Sequence, residues 1–153
     1  MDPRNRQAML TVKTLKISFI VAGLLFLYLV FKLPPNNTAP PQPAFELIVS
    51  AIALINVALG FILPGFMVRA ALRGQSSAQP PATPIQRWMS GCVLSLALFQ
   101  SCNLFGLVLH FVGARVLIVE SLFAVGLLAM LFWSPGAPPA DEGLSPTQDF
   151  PQA

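Results

Sequence analysis

Four long runs of apolar residues dominate the chain, and short polar connectors separate them. The runs cover about 15–33, 45–68, 88–111 and 115–133. A helix of about 20 apolar residues spans a hydrocarbon core about 30 Å thick. Lipid offers no partner to the backbone polar groups, so each run must be helical. The pattern therefore predicts an all-α fold, a four-helix transmembrane bundle made of two helical hairpins over residues 15–133.

The connectors differ in chemistry. Residues 34–44 are rich in proline, which cannot continue a helix, and residues 74–86 read as a Gly/Ser/Gln/Pro loop. Only the short Gly113-Ala114-Arg115 segment separates the last two runs, which predicts a tight helical hairpin. Pro64 and Gly65 predict a kink or an early end of the second helix. The proline-rich residues 134–153 are expected to form a disordered cytoplasmic tail.

The basic residues are distributed unequally between the two ends of the predicted bundle. The end that carries the amino terminus has seven basic residues, and the opposite end has two, Lys32 and Arg115. The seven are Arg4, Arg6, Lys13, Lys16, Arg69, Arg73 and Arg87. Lys and Arg accumulate in cytoplasmic loops. Both termini, including the basic segment 1–14, are therefore expected in the cytoplasm, and we expect the chain in a bacterial inner (cell) membrane. Cleavage of the first run as a signal peptide is the alternative, disfavoured by the run's length and the prolines after it.

Composition agrees with a membrane protein. The chain of 153 residues is 55% hydrophobic and only 10% charged, whereas a soluble domain carries about 25% charged residues. The net charge is +3, and the basic residues are scattered along the chain, which does not indicate nucleic-acid binding. Cys92 and Cys102 lie about 15 Å apart along one helix, too far for a disulfide. We interpret both as apolar packing residues.

Neutral polar residues inside the predicted spans are the main candidates for a structural or functional role. Asn56 lies near the middle of the second span, and Gln100 and Asn103 lie near the middle of the third. Amide side chains can hydrogen-bond between helices in a membrane, typically for about 1 kcal/mol. We interpret these three residues as interhelical hydrogen-bonders. A polar track that coordinates an ion or proton carrier is the alternative.

Glu120 is the one acidic residue well inside a predicted span. It lies one to two turns from the outer end of the fourth helix. One interpretation is a side chain that reaches the outer surface or pairs with Arg115 or His110. The other is a protonatable ion carrier, since removal from water favours the neutral form of a carboxyl group. His110, at a helix end, is interpreted as an interfacial residue.

The third run carries a resemblance to a known family. Residues 97–108 read ALFQSCNLFGLV, and this stretch resembles the outer helix of the c-type (proteolipid) rotor subunits of rotary ATPases. Residues 69–108 together resemble the polar loop and outer helix of that family's hairpin. The resemblance places Gln100 where the family has its ion-carrying acid. It implies a relative that kept the hairpin and lost the carrier, for which proton-driven rotation is not expected.

These observations favour a non-enzymatic membrane protein. The sequence offers no Ser/His/Asp or Cys/His set, no phosphate loop and no metal-ligand cluster, so no catalytic residue, metal or cofactor is predicted. The expected partners are the lipid bilayer and possible further copies of the chain or another membrane protein. The leading hypothesis is a structural or accessory subunit. The alternative is an ion-translocating or rotor-like subunit that uses Gln100 or Glu120.

Overall fold

Four α-helices make up the part of the chain that the structure describes. The computed structural model describes residues 3–35, 41–73 and 84–138. Its helices are α1 (Pro3–Lys32), α2 (Pro43–Arg73), α3 (Pro84–Val112) and α4 (Val116–Phe132). No strand occurs among the described residues. The prediction of an all-α, four-helix fold is confirmed. Residues 74–83 of the predicted loop and the tail beyond residue 138 lie outside the described residues.

The helices alternate in direction, and α3 lies at the centre. It packs against α1, α2 and α4, whereas α4 packs mainly on α3 and α1. Gly60 of α2 approaches Phe99 of α3, while Gly91 of α3 approaches Pro64 of α2, so these two helices are antiparallel. The approaches of Gly106 to Phe123 and of Gly126 to Asn103 show the same for α3 and α4. Between the described residues of α1 and α2 there is no packing contact. The second predicted hairpin, α3–α4, is therefore present as a packed pair, but the first differs from expectation because α1 lies on α3 and α4 instead.

Burial follows this arrangement. Half of the apolar segment of α3 is buried inside the bundle (50%), against 6% for α1 and 11% for α2. Two clusters form the core. The one at the amino-terminal end of α3 contains Trp88, Cys92 and Met130, and the one at its other end contains Cys102, Leu109 and Phe123. Both cysteines are free and buried. Burial of these small apolar groups stabilises the contacts of α3 with its neighbours.

Three helices extend past the predicted runs. α1 begins at Pro3, and within the segment expected only as a basic amino terminus, Ala8 and Val12 pack against Trp88 and Trp133. These two tryptophans are buried by helices rather than exposed in an interfacial aromatic belt. The second helix neither stops nor breaks at Pro64, since α2 continues to Arg73.

The turn between α3 and α4 explains why so short a connector is sufficient. Gly113 has a φ of 85°, which glycine adopts without the steric cost of a Cβ atom. The Gly113 N–H donates to the His110 carbonyl oxygen at 3.0 Å, and the Ala114 N–H donates to the Leu109 carbonyl oxygen at 2.9 Å. This pair of bonds is the Schellman arrangement that ends a helix. The chain can therefore reverse within three residues.

The bundle is apolar on its outside. Leu47, Leu117 and Phe132 are 72%, 76% and 77% exposed, whereas Asn103 and Ser95, near the middle of α3, are fully buried. Three helices, Asn5–Lys32, Pro43–Met67 and Ile85–Val112, are long and apolar enough to cross a membrane. α4 is apolar but has 17 residues, which corresponds to about 26 Å.

Lys16 of α1 closes the carboxyl end of α4. Its Nζ donates to the Leu131 carbonyl oxygen at 3.0 Å and to the Trp133 carbonyl oxygen at 2.7 Å. The last carbonyl groups of a helix have no partner within the helix, and a cation beside them also interacts favourably with the helix dipole. Lys16 therefore connects α1 to α4 through charge as well as packing.

We expect Lys16→Met to destabilise the bundle by about 1–2 kcal/mol, because two carbonyl oxygens lose a charged donor. Lys13→Met is the matched control, since Lys13 is exposed on the same helix and makes no hydrogen bond among the described residues. Thermal unfolding in mild detergent measures the difference. Equal melting temperatures for the two variants would show that the Lys16 bonds do not stabilise the fold.

Candidate functional site

Gln100 and Asn103 form a polar pair inside the bundle. Asn103 is fully buried and Gln100 is 7% exposed. The Asn103 Nδ2 donates to the Gln100 Oε1 at 3.1 Å. This bond lies within α3, one turn apart, whereas the sequence predicted that both amides would bond between helices. The pair instead makes its interhelical contacts by packing.

Two glycines from neighbouring helices enclose Asn103. A Cβ atom on Gly126 of α4 would lie 2.5 Å from the Asn103 Oδ1 and 3.2 Å from the Phe99 carbonyl oxygen. A Cβ atom on Gly23 of α1 would lie 2.8 Å from the Asn103 Nδ2. Only glycine leaves room for the amide at both positions. The amide is therefore held between α1 and α4, and it is the point where three helices meet.

One donor and one acceptor of the pair have no partner among the described residues. They are the Gln100 Nε2 and the Asn103 Oδ1, both buried. A buried polar atom without a partner costs about 1–3 kcal/mol. Neither amide can ionise, so the pair offers hydrogen bonding or oxygen coordination and does not offer proton uptake. The prediction that Gln100 belongs to an ion site stays a prediction.

Asn56 and Ser101 form a second polar contact, between α2 and α3. The Asn56 Nδ2 donates to the Ser101 Oγ at 3.0 Å, and that hydroxyl donates to the Leu98 carbonyl oxygen at 2.6 Å. Cys102 adds a contact to α4, since its Sγ donates to the Leu122 carbonyl oxygen at 3.3 Å. The adjacent residues Ser101 and Cys102 of α3 thus contact different helices, α2 and α4. Of the three amides singled out from the sequence, Asn56 is the one whose hydrogen bond joins two helices.

Glu120 has neither of the partners suggested for it. Its side chain is exposed on α4 and has no hydrogen bond or ion pair among the described residues. Arg115 pairs with Glu46, and the His110 Nε2 lies 2.8 Å from the Leu33 carbonyl oxygen. The pairing suggested for Glu120 is thus replaced by these two contacts. Glu120 on α4 and Gln100 on α3 are separated by about 13 Å along the direction of the helix axes. The structure therefore does not bring these two residues together.

The ion pair between Glu46 and Arg115 was not predicted. Glu46 is 2% exposed. Its Oε1 accepts from the Arg115 backbone N–H at 3.1 Å, and its Oε2 accepts from the Arg115 Nε at 2.9 Å. Arg115 is the residue that precedes the first turn of α4, so the carboxylate also lies at the positive end of that helix. The available signal was that an acid and an arginine begin two helices at the same end of the bundle.

Two cavities meet at this ion pair. The groove between α2 and α4, about 420 Å³, is lined by Glu46, Leu47, Ser50, Leu54, Arg115, Leu117, Ile118, Ser121, Leu122 and Val125. The second cavity, about 570 Å³, lies on the side of the 34–44 connector and is lined by Pro41, Gln42, Pro43, Glu46 and Arg115. The first is almost wholly apolar apart from the ion pair at its end. Arg115 therefore lies between an apolar and a more polar space.

Comparison with known proteins adds no family. No family model matches the chain, and neither a curated protein nor a solved structure matches it. Among the described residues, no group of three or more His, Cys, Asp or Glu side chains could hold a metal ion. Arguments about function therefore rest on the geometry of this chain.

We expect Gly126→Ala to destabilise the bundle by about 1–3 kcal/mol, because the new methyl group overlaps Asn103 and the amide has no space to move towards Gly23. Gly65→Ala is the matched control, since nothing lies within 4 Å of a Cβ atom at Gly65. The measurement is thermal unfolding in detergent. If the Gly126 variant is as stable as the Gly65 variant, Asn103 is not enclosed as described.

Proposed function

We propose that the chain is a multi-pass integral membrane protein without catalytic activity, acting as a structural or accessory subunit in a bacterial inner membrane. The observation that carries the proposal is the reversed polarity of the bundle. Large apolar side chains face outwards, and the amides and buried hydroxyls face inwards. A soluble protein rarely exposes an apolar patch of more than a few hundred Å². Lipid is the solvent that suits such a surface.

The charge distribution supports cytoplasmic termini. α1 begins, α2 ends and α3 begins at one end of the bundle, so the seven basic residues named above lie along the chain at that end. At the opposite end, Arg115 is paired with Glu46. The positive-inside rule counts basic residues, and acidic residues contribute little to it. By this rule, the basic end faces the cytoplasm.

The surfaces of α1 and α2 support a role in packing against partners. Both helices are long and are buried only along a narrow side. Their outer faces carry large residues such as Phe31 and Phe66, 71% and 66% exposed. These faces are apolar enough for lipid and wide enough for another helix. Either a second copy or another membrane protein would fit them.

Labelling of introduced cysteines tests membrane insertion and orientation together. We expect Asn37→Cys to react with a membrane-impermeant maleimide on intact cells, and Ser77→Cys to react only after permeabilisation. The unmodified chain is the control, because Cys92 and Cys102 are buried. The reverse pattern would contradict the orientation. Release of the chain from membranes by an alkaline wash would contradict membrane insertion itself.

A second candidate function, an ion-translocating or rotor-like subunit, is favoured by Glu120. An exposed acid without a partner on an apolar helix surface is costly in lipid unless it is protonated or used. For this function, a hydrophobic carbodiimide should modify Glu120 in membranes, with Glu120→Gln as the control. Light scattering in mild detergent, corrected for bound detergent, should show a ring of many copies. An unmodified Glu120 in a monomer or dimer would exclude this candidate.

A further inference from the structure

We propose that the groove between α2 and α4 is a binding site for one anionic phospholipid, with Arg115 holding the phosphate and the groove holding an acyl chain. The proposal rests on the proposed membrane location of the chain. The juxtaposition that supports it is an exposed arginine fixed at the mouth of an apolar groove. The groove is open at its side, so a lipid can enter it from the bilayer without unfolding the bundle.

The apolar part of the site is formed by α2 and α4. Leu47 and Leu54 of α2 face Leu117, Ile118 and Val125 of α4 across the groove. α2 and α4 make few contacts with each other because α3 lies between them. Aliphatic walls of this kind favour a flexible hydrocarbon chain, since it can pack against them by van der Waals contact when it enters from the bilayer.

The polar part of the site is oriented by Glu46. Both carboxylate oxygens are engaged by Arg115, one by the backbone N–H and one by the Nε. The terminal amino groups of the guanidinium make no hydrogen bond among the described residues, and Arg115 is 66% exposed. The planar guanidinium presents this free edge to a phosphate or carboxylate in two-point geometry. Its orientation is set before a ligand arrives, which lowers the entropy lost on binding.

The charge of the lining argues for an anionic rather than a zwitterionic lipid. Among the described residues, Glu46 is the one acid lining either cavity, and its carboxylate is buried. A choline or ethanolamine group would find no exposed carboxylate there. The second cavity, beside Pro41 and Gln42, has room for an uncharged headgroup such as glycerol next to the phosphate. Phosphatidylglycerol is therefore the probe of choice.

Native mass spectrometry of the full chain in mild detergent, with added phosphatidylglycerol or phosphatidylethanolamine, tests the proposal. We expect one phosphatidylglycerol to bind at least about tenfold more tightly than phosphatidylethanolamine, because only the former leaves no unpaired cation. Equal affinities for the two lipids would overturn the proposal.

Two variants separate the groove from the ion pair. Ser121→Phe fills the groove and leaves Glu46 and Arg115 unchanged, so we expect it to weaken phosphatidylglycerol binding about tenfold or more. Ser18→Phe is its control, since Ser18 and Ser121 are both exposed and each donates to the carbonyl oxygen four residues earlier. The double variant Glu46→Gln, Arg115→Gln keeps a neutral hydrogen-bonding pair and should abolish the preference between the two lipids.

The outcomes distinguish this proposal from the proposed function. Unchanged binding in Ser121→Phe, or a retained lipid preference in the double variant, would overturn the lipid site while the chain still resists an alkaline wash of membranes. Loss of the chain from the membrane fraction in that wash would overturn the proposed function and the lipid site with it.

Discussion

The arrangement of this bundle depends on two side chains of opposite charge, each of which binds one end of α4 from another helix. Glu46 of α2 accepts the backbone N–H at the start of α4, and Lys16 of α1 donates to carbonyl oxygens at its end. Each charge has the sign that the helix dipole favours. The helix between them is nearly all apolar, and apolar faces alone do not define its axial position. These contacts do, and they place α1 and α2 on different sides of the α3–α4 pair.

The central position of α3 follows from its polar residues rather than from its overall hydrophobicity. It is less apolar than α2 or α4, yet it is more buried than α1 or α2, because its polar groups need partners that an apolar surrounding does not offer. Asn103 lies between Gly23 and Gly126, and Ser101 receives Asn56. In water the apolar helix would be expected at the centre. Here the order is reversed, which agrees with lipid as the surrounding solvent.

Much of the fold could be predicted from the sequence because long apolar runs between proline- and glycine-containing connectors indicate helices. The four helices and the turn at Gly113 followed from run length and turn chemistry. Helix pairing did not follow, because α1 and α2 are apolar on every side and no stripe marks the face that packs. Asn56 makes its hydrogen bond to another helix, whereas the bond between Gln100 and Asn103 stays within α3. The partner of Arg115 could not be chosen between Glu46 and Glu120 without knowing that α2 approaches the start of α4.

The two ends of the bundle differ in a way that bears on function. At the basic end, Trp88 and Trp133 are buried and the carboxyl end of α4 is closed by Lys16. At the other end, a groove opens between α2 and α4, and Arg115 keeps a free edge beside it. A buried carboxylate that merely closed a helix end would not require an exposed arginine as its partner, since a buried amide donor would serve with less desolvation. The exposed arginine is therefore best explained by a second ligand of negative charge, and the open end is the place where this protein meets it.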